Sequence, residues 1–455
     1  MGIRVQNVIF EVLKLGFWVL SFWWNMTILI PVRLYNSIVY NLMGIPSKLV
    51  NDTVFVGGFG FSPDDFPNSS YWGSLGSSIF WIPKDGPLSS NQDRACEILA
   101  ATMKLKEVTY VDGCHKKKKP TYTTGSWLYQ LSILLVKIFN MCPNDTFGPP
   151  NIVSETSKIK FITHSAGYGA VAQLLVYLHQ HKVGLIKRKI EDGKKLAPAE
   201  ERILSSVKDS SDYKYRVLFF DNDGNPLDVS PFVIDKIAFI SPTAGGADYV
   251  RSSSGMYNDD LSFATYSLGR LLCWLAITLD RLLKYVPFPL LNLYLDQFAK
   301  IYQYTDGTDT IFQGLVEPVA QHLTIQANYV MSLYDIQSIR VTTKACVKIG
   351  WIYFPLPNLS PLLWQNIIGG CGWRNDAKFG DEYTQCLQEH DGCISTKSQR
   401  YGLECDCLIT KTLAPGVNVC MTCGCIHTNL DHLAILRKGA TSLVAQTATL
   451  EWLST

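Results

Sequence analysis

The sequence predicts an α/β fold with a mostly parallel central sheet, helices on its flanks and a helical insertion in its second half. Three observations predict it. Short apolar runs stop at glycine or serine turns. The run Lys158 to His164 reads as a strand that ends at Ser165 and is followed by Val171, Leu174, Leu175 and Leu178 at helical spacing. At 455 residues and 47% hydrophobic, the chain can also bury one large core, or two ordinary ones.

The remaining elements follow in chain order. Thr53 to Val56 reads as a buried strand stopping at Gly57-Gly58-Phe59-Gly60, and Ile79 to Ile82 as a second strand before Pro83. Arg94 to Met103 carries a helical pattern, and Lys116 to Lys119 before Pro120 forms a solvated break. Lys187 to Asp212 is rich in charge and serine and reads as a surface insertion before the strand Lys236 to Ile240. From Leu261 to Phe298 the chain is apolar and helical, broken at Pro287-Phe288-Pro289, which predicts a helical hairpin. Such a hairpin either packs as a core pair or forms a lid that opens at a lipid surface.

Charge and cysteine set the surroundings. A formal net charge of +2 is too small to imply a nucleic-acid partner. Leu15 to Val32 contains no charged residue and, as a helix, would extend roughly 27 Å, about one hydrocarbon core. No small-residue cleavage pattern follows it, so a retained anchor or an interfacial helix is expected, and with it membrane association. Of thirteen cysteines, Cys371, Cys386, Cys393, Cys405, Cys407, Cys420, Cys423 and Cys425 crowd one stretch. With acceptor triplets beginning at Asn51, Asn68, Asn144 and Asn358, these predict disulfides and glycans in the secretory pathway, the endoplasmic reticulum lumen or outside the cell, with zinc on Cys405, Cys407, Cys420 and Cys423 as the alternative to disulfides.

The chemistry centres on Thr163-His164-Ser165-Ala166-Gly167, a variant of the G-x-S-x-G nucleophile elbow of α/β-hydrolases. There a strained strand-to-helix turn lifts a serine hydroxyl above the sheet. Gly167 supplies one small neighbour, while Thr163 replaces the first glycine of the pattern. A serine hydroxyl attacks only when a histidine removes its proton, and that histidine needs a carboxylate to fix its tautomer. In the order serine, acid, histidine, Asp391 and His432 qualify; His390 and His427 remain as alternative bases and Asp431 as an alternative acid. Backbone amides of Ala166 and of Phe59 in the glycine-rich turn are the natural oxyanion donors.

Beyond these motifs, Val56-Gly57-Gly58-Phe59-Gly60-Phe61, Gly86 to Glu97, the elbow, Ser241 to Gly246, Leu295-Asp296-Gln297, His390-Asp391-Gly392 and Asn429 to Leu433 stand in an order that resembles the true lipases of staphylococci and thermophilic bacilli, and within that family its eukaryotic lipase-like branch. The resemblance runs from about Thr53 to Ile435. It implies a triad of Ser165, Asp391 and His432, with oxyanion donors on Phe59 and Ala166. It also implies zinc held by two aspartates and two histidines. Asp93 and His115 match the first pair, the next histidine is missing from the Lys116 to Tyr122 stretch, and Glu317 falls where the last ligand is expected, with His322 nearby. That leaves a reduced structural zinc site on Asp93, His115 and Glu317, with no cofactor required for the chemistry. The family's calcium-binding glutamate two residues beyond the histidine is Ala434 here, so calcium is expected to be absent.

The expected organisation is an N-terminal hydrophobic segment over 1–50 and a hydrolase domain over 51–455. Within that domain lie an insertion at about 184–232, a lid region at about 250–305 and the cysteine-rich part at 371–425. The expected activity is hydrolysis of acylglycerols or other fatty acyl esters through an acyl-enzyme. The alternatives are an acyltransferase using the same residues, or a membrane-attached lipid-binding protein without catalysis, for which Thr163, and Gly57 and Thr243 in places where the resembled family usually has histidines, are the motivating departures.

Overall fold

Thr53–Val56 (β1) is buried at all four positions, which a strand achieves only when both faces of its sheet are covered. The computed structural model describes residues 53–58, 75, 80–81, 90–103, 109–110, 158–207, 215–221, 223–247, 314–344, 346–349, 352–355, 391, 394–403, 410–420, 422–436 and 440–455. The N-terminal segment 1–50, the Lys116 to Lys119 break, the predicted lid region 250–305, most of the cysteine-rich part and the four acceptor asparagines lie outside these residues.

The other described strands are Phe80–Trp81 (β2), Thr109–Tyr110 (β3), Ile159–His164 (β4), Phe219–Phe220 (β5), Ile234–Ile240 (β6), Gln337–Thr343 (β7), Cys346–Ile349 (β8), Ile352–Pro355 (β9), Thr410–Ala414 (β10), Val417–Cys420 (β11) and Ile426–Thr428 (β12). Eight of them form one sheet in the order β10-β11-β12-β7-β6-β4-β1-β2. From β2 to β12 every pairing is parallel, and the β10–β11 hairpin closes the edge antiparallel. After β1 the chain moves outward to β2, then returns to the other side of β1 as β4. The strand order therefore reverses between β1 and β4, and the crevice at the carboxyl ends of those strands is where open α/β sheets bind ligands.

Helices Asn91–Thr102 (α1), Gly167–Glu191 (α2) and Glu317–Leu333 (α4) pack together, with α2 in contact with both others; Pro198–Ser206 (α3) follows α2 on the outside. Their apolar sides share a core with Val54, Val56, Phe161, Ile237 and Phe239. Alternate residues of the same strands, Phe55, Ile162, Ala238 and Ile240, point to the opposite face. There they meet Ala445, Leu450 and Leu453 of the last helix, Ala440–Ser454 (α5). Period-two alternation thus feeds two cores, which is why the strands read as continuous apolar runs. Removing one of the large side chains, such as Phe161, would cost about 3–5 kcal/mol.

Two elements begin in ways that matter for the site. The hydroxyl of Ser90 caps α1 by accepting the Asp93 amide at 3.1 Å, and Asp93 favours the same helix end by charge. Helix α2 begins directly behind Ser165. A Cβ on Gly167 would lie 2.5 Å from the Val56 carbonyl oxygen and 2.7 Å from that of Gly57, so only glycine lets the helix start against the end of β1.

Helix α2 reaches Glu191, well beyond the Ala170 to His179 periodicity, and its last turn carries the exposed Arg188 and Lys189. Long charged residues are good helix formers and continue a helix into solvent without an apolar stripe. Among the described residues no helix is long and apolar enough to cross a membrane.

Candidate active site

Ser165 sits at the carboxyl end of β4 with φ +55°, a left-handed conformation that non-glycine residues adopt at a cost of about 1–3 kcal/mol. The surroundings hold it there. Its amide donates to the Ile240 carbonyl at 3.0 Å, and its own carbonyl accepts the Tyr168 amide at 3.1 Å and the Thr243 hydroxyl at 3.4 Å. Gly58 presses from the β1 side, where a Cβ would come 2.9 Å from that of Ser165. This strained strand-to-helix turn is the elbow that the sequence motif predicts, built although Thr163 occupies its first glycine position. Thr163 is fully buried in β4 and paired with Val56 and Phe239.

The structure brings Asp391 and His432 together. His432 Nδ1 lies 2.7 Å from Asp391 Oδ2, and both residues are buried. A carboxylate only accepts, so Nδ1 carries the proton and Nε2 is left with its lone pair, the tautomer a general base needs. The backbone repeats the link, since the His432 amide donates to the Asp391 carbonyl at 3.0 Å.

Asp391 is wholly enclosed and held by three further donors. Oδ2 also accepts the Thr343 hydroxyl at 2.7 Å and Gln399 Nε2 at 3.0 Å, while Oδ1 accepts the Ile394 amide at 2.7 Å. Because Thr343 donates to Asp391, its oxygen accepts from Ser241 at 2.8 Å. Gln399 is itself fixed by the Thr343 backbone, accepting its amide at 2.8 Å and donating to its carbonyl at 3.1 Å. A buried anion needs donors of this number, and they also fix the carboxylate plane that aims the imidazole.

The alternatives left open by the sequence have other partners. His427 Nδ1 meets the Thr342 hydroxyl at 2.7 Å on β12. Asp431 accepts the amides of Leu433 and Ala434 at 2.9 and 2.6 Å and so starts the 3-10 turn Ala434–Leu436. His390 lies outside the described residues.

Of the two expected oxyanion donors, Ala166 follows Ser165 at the head of α2, where the helix dipole favours negative charge. Phe59 lies outside the described residues, but Gly57 and Gly58 bring the chain to within contact of the elbow. Arg94 ties these parts together. Its buried guanidinium donates to the Gly57 carbonyl at 2.7 Å and to that of Ala166 at 3.3 Å. Sequence reasoning gave Arg94, Thr343 and Gln399 no role. Arg94 stands in the first turn of the predicted helix directly before the apolar Ala95 and Cys96, a weak signal for the first; the other two left none.

Of the expected zinc ligands, Asp93 lies in the first turn of α1 and Glu317 in the first turn of α4, where it accepts Gln321 Nε2 at 2.9 Å. His115 is outside the described residues, and His322 pairs with Gln326 at 2.8 Å. Among the described residues no three His, Cys, Asp or Glu side chains converge as metal ligands. Those residues alone do not complete a zinc site, and no chemical step below is routed through one.

Neither a protein-family model nor a curated sequence matches this chain. Among solved structures it is similar to Staphylococcus hyicus lipase, with a TM-score of 0.46 and 15% identity over 90% of this chain and 96% of that one. It is also similar to EstA from Clostridium botulinum, with a TM-score of 0.44 and 18% identity over 91% and 89% of the two chains. The α/β-hydrolase fold assigned here rests on the chain's own strand order and elbow: a mixed, mostly parallel sheet with helices on both faces and a strained serine at the carboxyl end of β4.

Proposed function

We propose that the protein is a serine carboxylic ester hydrolase acting on fatty acyl esters, with Ser165 as nucleophile, His432 as base and Asp391 as the acid that orients it. The observation that carries the reading is the buried His432–Asp391 pair at 2.7 Å in the same site as a serine held at positive φ. His164, which directly precedes that serine, packs its ring 4.7 Å from that of His432. Ser241 at the end of β6 also has positive φ, so it is the place of Ser165 beside the oriented imidazole, and not the strain alone, that supports the reading.

In the proposed reaction His432 Nε2 takes the Ser165 proton as Oγ bonds to the ester carbonyl carbon. The Ala166 amide, with the Phe59 amide expected from the sequence, holds the oxyanion, each such donor typically contributing about 10²–10³ in rate. Collapse breaks the bond to the alkoxy oxygen, which leaves as alcohol with the proton from His432. Water, deprotonated by the same nitrogen, then attacks the acyl carbon and releases the acid. Asp391 keeps Nδ1 protonated throughout, and Arg94 holds the two loops from which the oxyanion donors project.

The apolar segment from Leu15 to Val32 supports a lipid surface as the place of work; in the cysteine cluster Cys423 is disulfide-bonded, which favours an oxidising compartment, while Cys425 keeps a free thiol, contrary to the expectation for that cysteine. The test is turnover of 4-nitrophenyl and glyceryl esters from butyrate to palmitate by the full-length protein in detergent, with and without added alcohol. Release of free acid, favouring long chains and unaffected by alcohol, is the expected result. Acyl transfer to the alcohol in preference to water would replace hydrolysis with transfer, and no turnover of any ester would overturn the reading.

A further inference from the structure

The residue before the nucleophile, His164, faces the base. Its ring lies 4.7 Å from that of His432, tilted by 43°, and its Nε2 lies 2.9 Å from the His432 carbonyl oxygen. A carbonyl only accepts, so His164 carries its proton on Nε2 and donates it there. The residue is 1% exposed. Burial first, and then the neighbouring His432, push its pKa down to about 3, so it is a neutral donor throughout the neutral range.

Taken with the bonds already described, His432 is fixed at three points. Its ring is held by the Asp391 carboxylate, its amide by the Asp391 carbonyl, and its carbonyl by His164. The first two anchors tie the base to the acid. Only the third ties it directly to the strand that carries Ser165, across a sequence separation of 268 residues. Asp391 and His432 stand on loops, whereas Ser165 is set by β4, β6 and α2. Asp391 also reaches the sheet through Thr343 at the end of β7, two strands away from β4, so the His164 bond is the more direct of the two ties between His432 and the nucleophile strand.

We propose that His164 is a positioning residue that fixes His432 against the nucleophile strand through its bond to the His432 carbonyl, and that catalysis depends on that bond rather than on the bulk of the ring. The inference rests on the ester hydrolase reading. Misplacing a reacting group by about 1 Å commonly costs on the order of 10² in rate.

The experiment compares wild type, His164→Phe and His164→Gln in the full-length protein, with Ser165→Ala as the blank. Phenylalanine keeps the ring contact and loses the donor. Glutamine loses the ring and can place an amide N–H near the position of Nε2. We expect His164→Phe to lower kcat by roughly 10–100-fold with KM within about twofold, as for a reacting group displaced by about 1 Å. His164→Gln is expected to recover most of that loss. Thermal melts run alongside separate folding from positioning.

A residue needed only for packing would give the reverse order, with phenylalanine the milder change and the melting temperature tracking the rate. That order, or a His164→Phe rate within twofold of wild type, would overturn the proposal. If phenylalanine prevents folding, His164→Asn, whose amide is too short to reach the carbonyl, takes its place against glutamine, and equal rates for the two would overturn it. A wild type that turns over no ester faster than Ser165→Ala would instead remove the hydrolase reading itself.

Discussion

Replacing Ser165 with alanine is expected to abolish ester turnover, and replacing His432 with alanine to do so almost as fully. Each single change should lower kcat by ~10⁴-fold or more, with the double variant little worse than either, because nucleophile and base act as one unit. The residual rate would come from the oxyanion donors and from substrate binding. Folding should survive both substitutions. Ser165→Ala removes one oxygen and leaves the elbow held through its backbone amide and carbonyl. His432→Ala takes one donor from Asp391 and leaves Thr343, Gln399 and the Ile394 amide on the carboxylate. Initial rates on a long-chain ester, paired with thermal melts, check this. A His432→Ala variant at wild-type rate would move the base elsewhere, and His427, bonded to Thr342, would be the next residue to replace.

Asp391→Asn tests the orienting role and has the second largest expected effect. The side chain is nearly isosteric, so the cost comes from hydrogen-bond polarity. Oδ2 receives three donors, from His432, Thr343 and Gln399, and Oδ1 receives the Ile394 amide. An asparagine has one acceptor oxygen for these two positions. If its NH₂ faces His432, the imidazole must turn to the tautomer protonated on Nε2, which cannot accept the serine proton. If its oxygen faces His432, the NH₂ meets the Ile394 N–H. The first arrangement predicts a kcat loss on the order of 10³–10⁴. Either arrangement leaves buried donors unpaired at about 1–3 kcal/mol each, so the melting temperature should fall as well. Wild-type kcat in this variant would show that Asp391 does not orient the base.

Much of this site was legible because its parts are local in sequence. A strand from Lys158 to His164, a serine and a helical pattern can be read within about twenty residues, and they fold as β4, elbow and α2. The Gly57-Gly58 turn is legible for the same reason. Asp391 and His432 were legible only as members of short clusters. His427, Asp431 and His432 lie within six residues of one another, and nothing in composition says which points toward Ser165. Pairing across the sheet decides it: β12 turns His427 toward Thr342, and the loop after it turns His432 toward Asp391.

Strands β1, β2 and β6 were read at Thr53 to Val56, Ile79 to Ile82 and Lys236 to Ile240, but β7, the strands β10 to β12 and the carboxylate cage were not legible. β7 begins with the exposed Gln337 and Ser338, and the β10–β11 hairpin is an edge element with half-exposed positions, so neither carries a strong apolar signal. Thr343 and Gln399 are ordinary residues made functional by contacts across 48 and 8 positions. Helix α4 holds its buried face with Ala320, Leu323, Thr324, Ala327 and Val330, small and mixed residues that fit the close packing against α2 rather than a broad apolar stripe.

The central claim is that Ser165 is an activated nucleophile, and covalent capture tests it most directly. The full-length protein is incubated with a long-chain alkyl fluorophosphonate, and the modified peptide is identified by mass spectrometry. The account predicts one phosphonyl group per chain, on Ser165, formed rapidly in wild type, much more slowly in His432→Ala and not at all in Ser165→Ala. A folded wild-type protein that remains unlabelled, or a label on another residue that persists in Ser165→Ala, would contradict it.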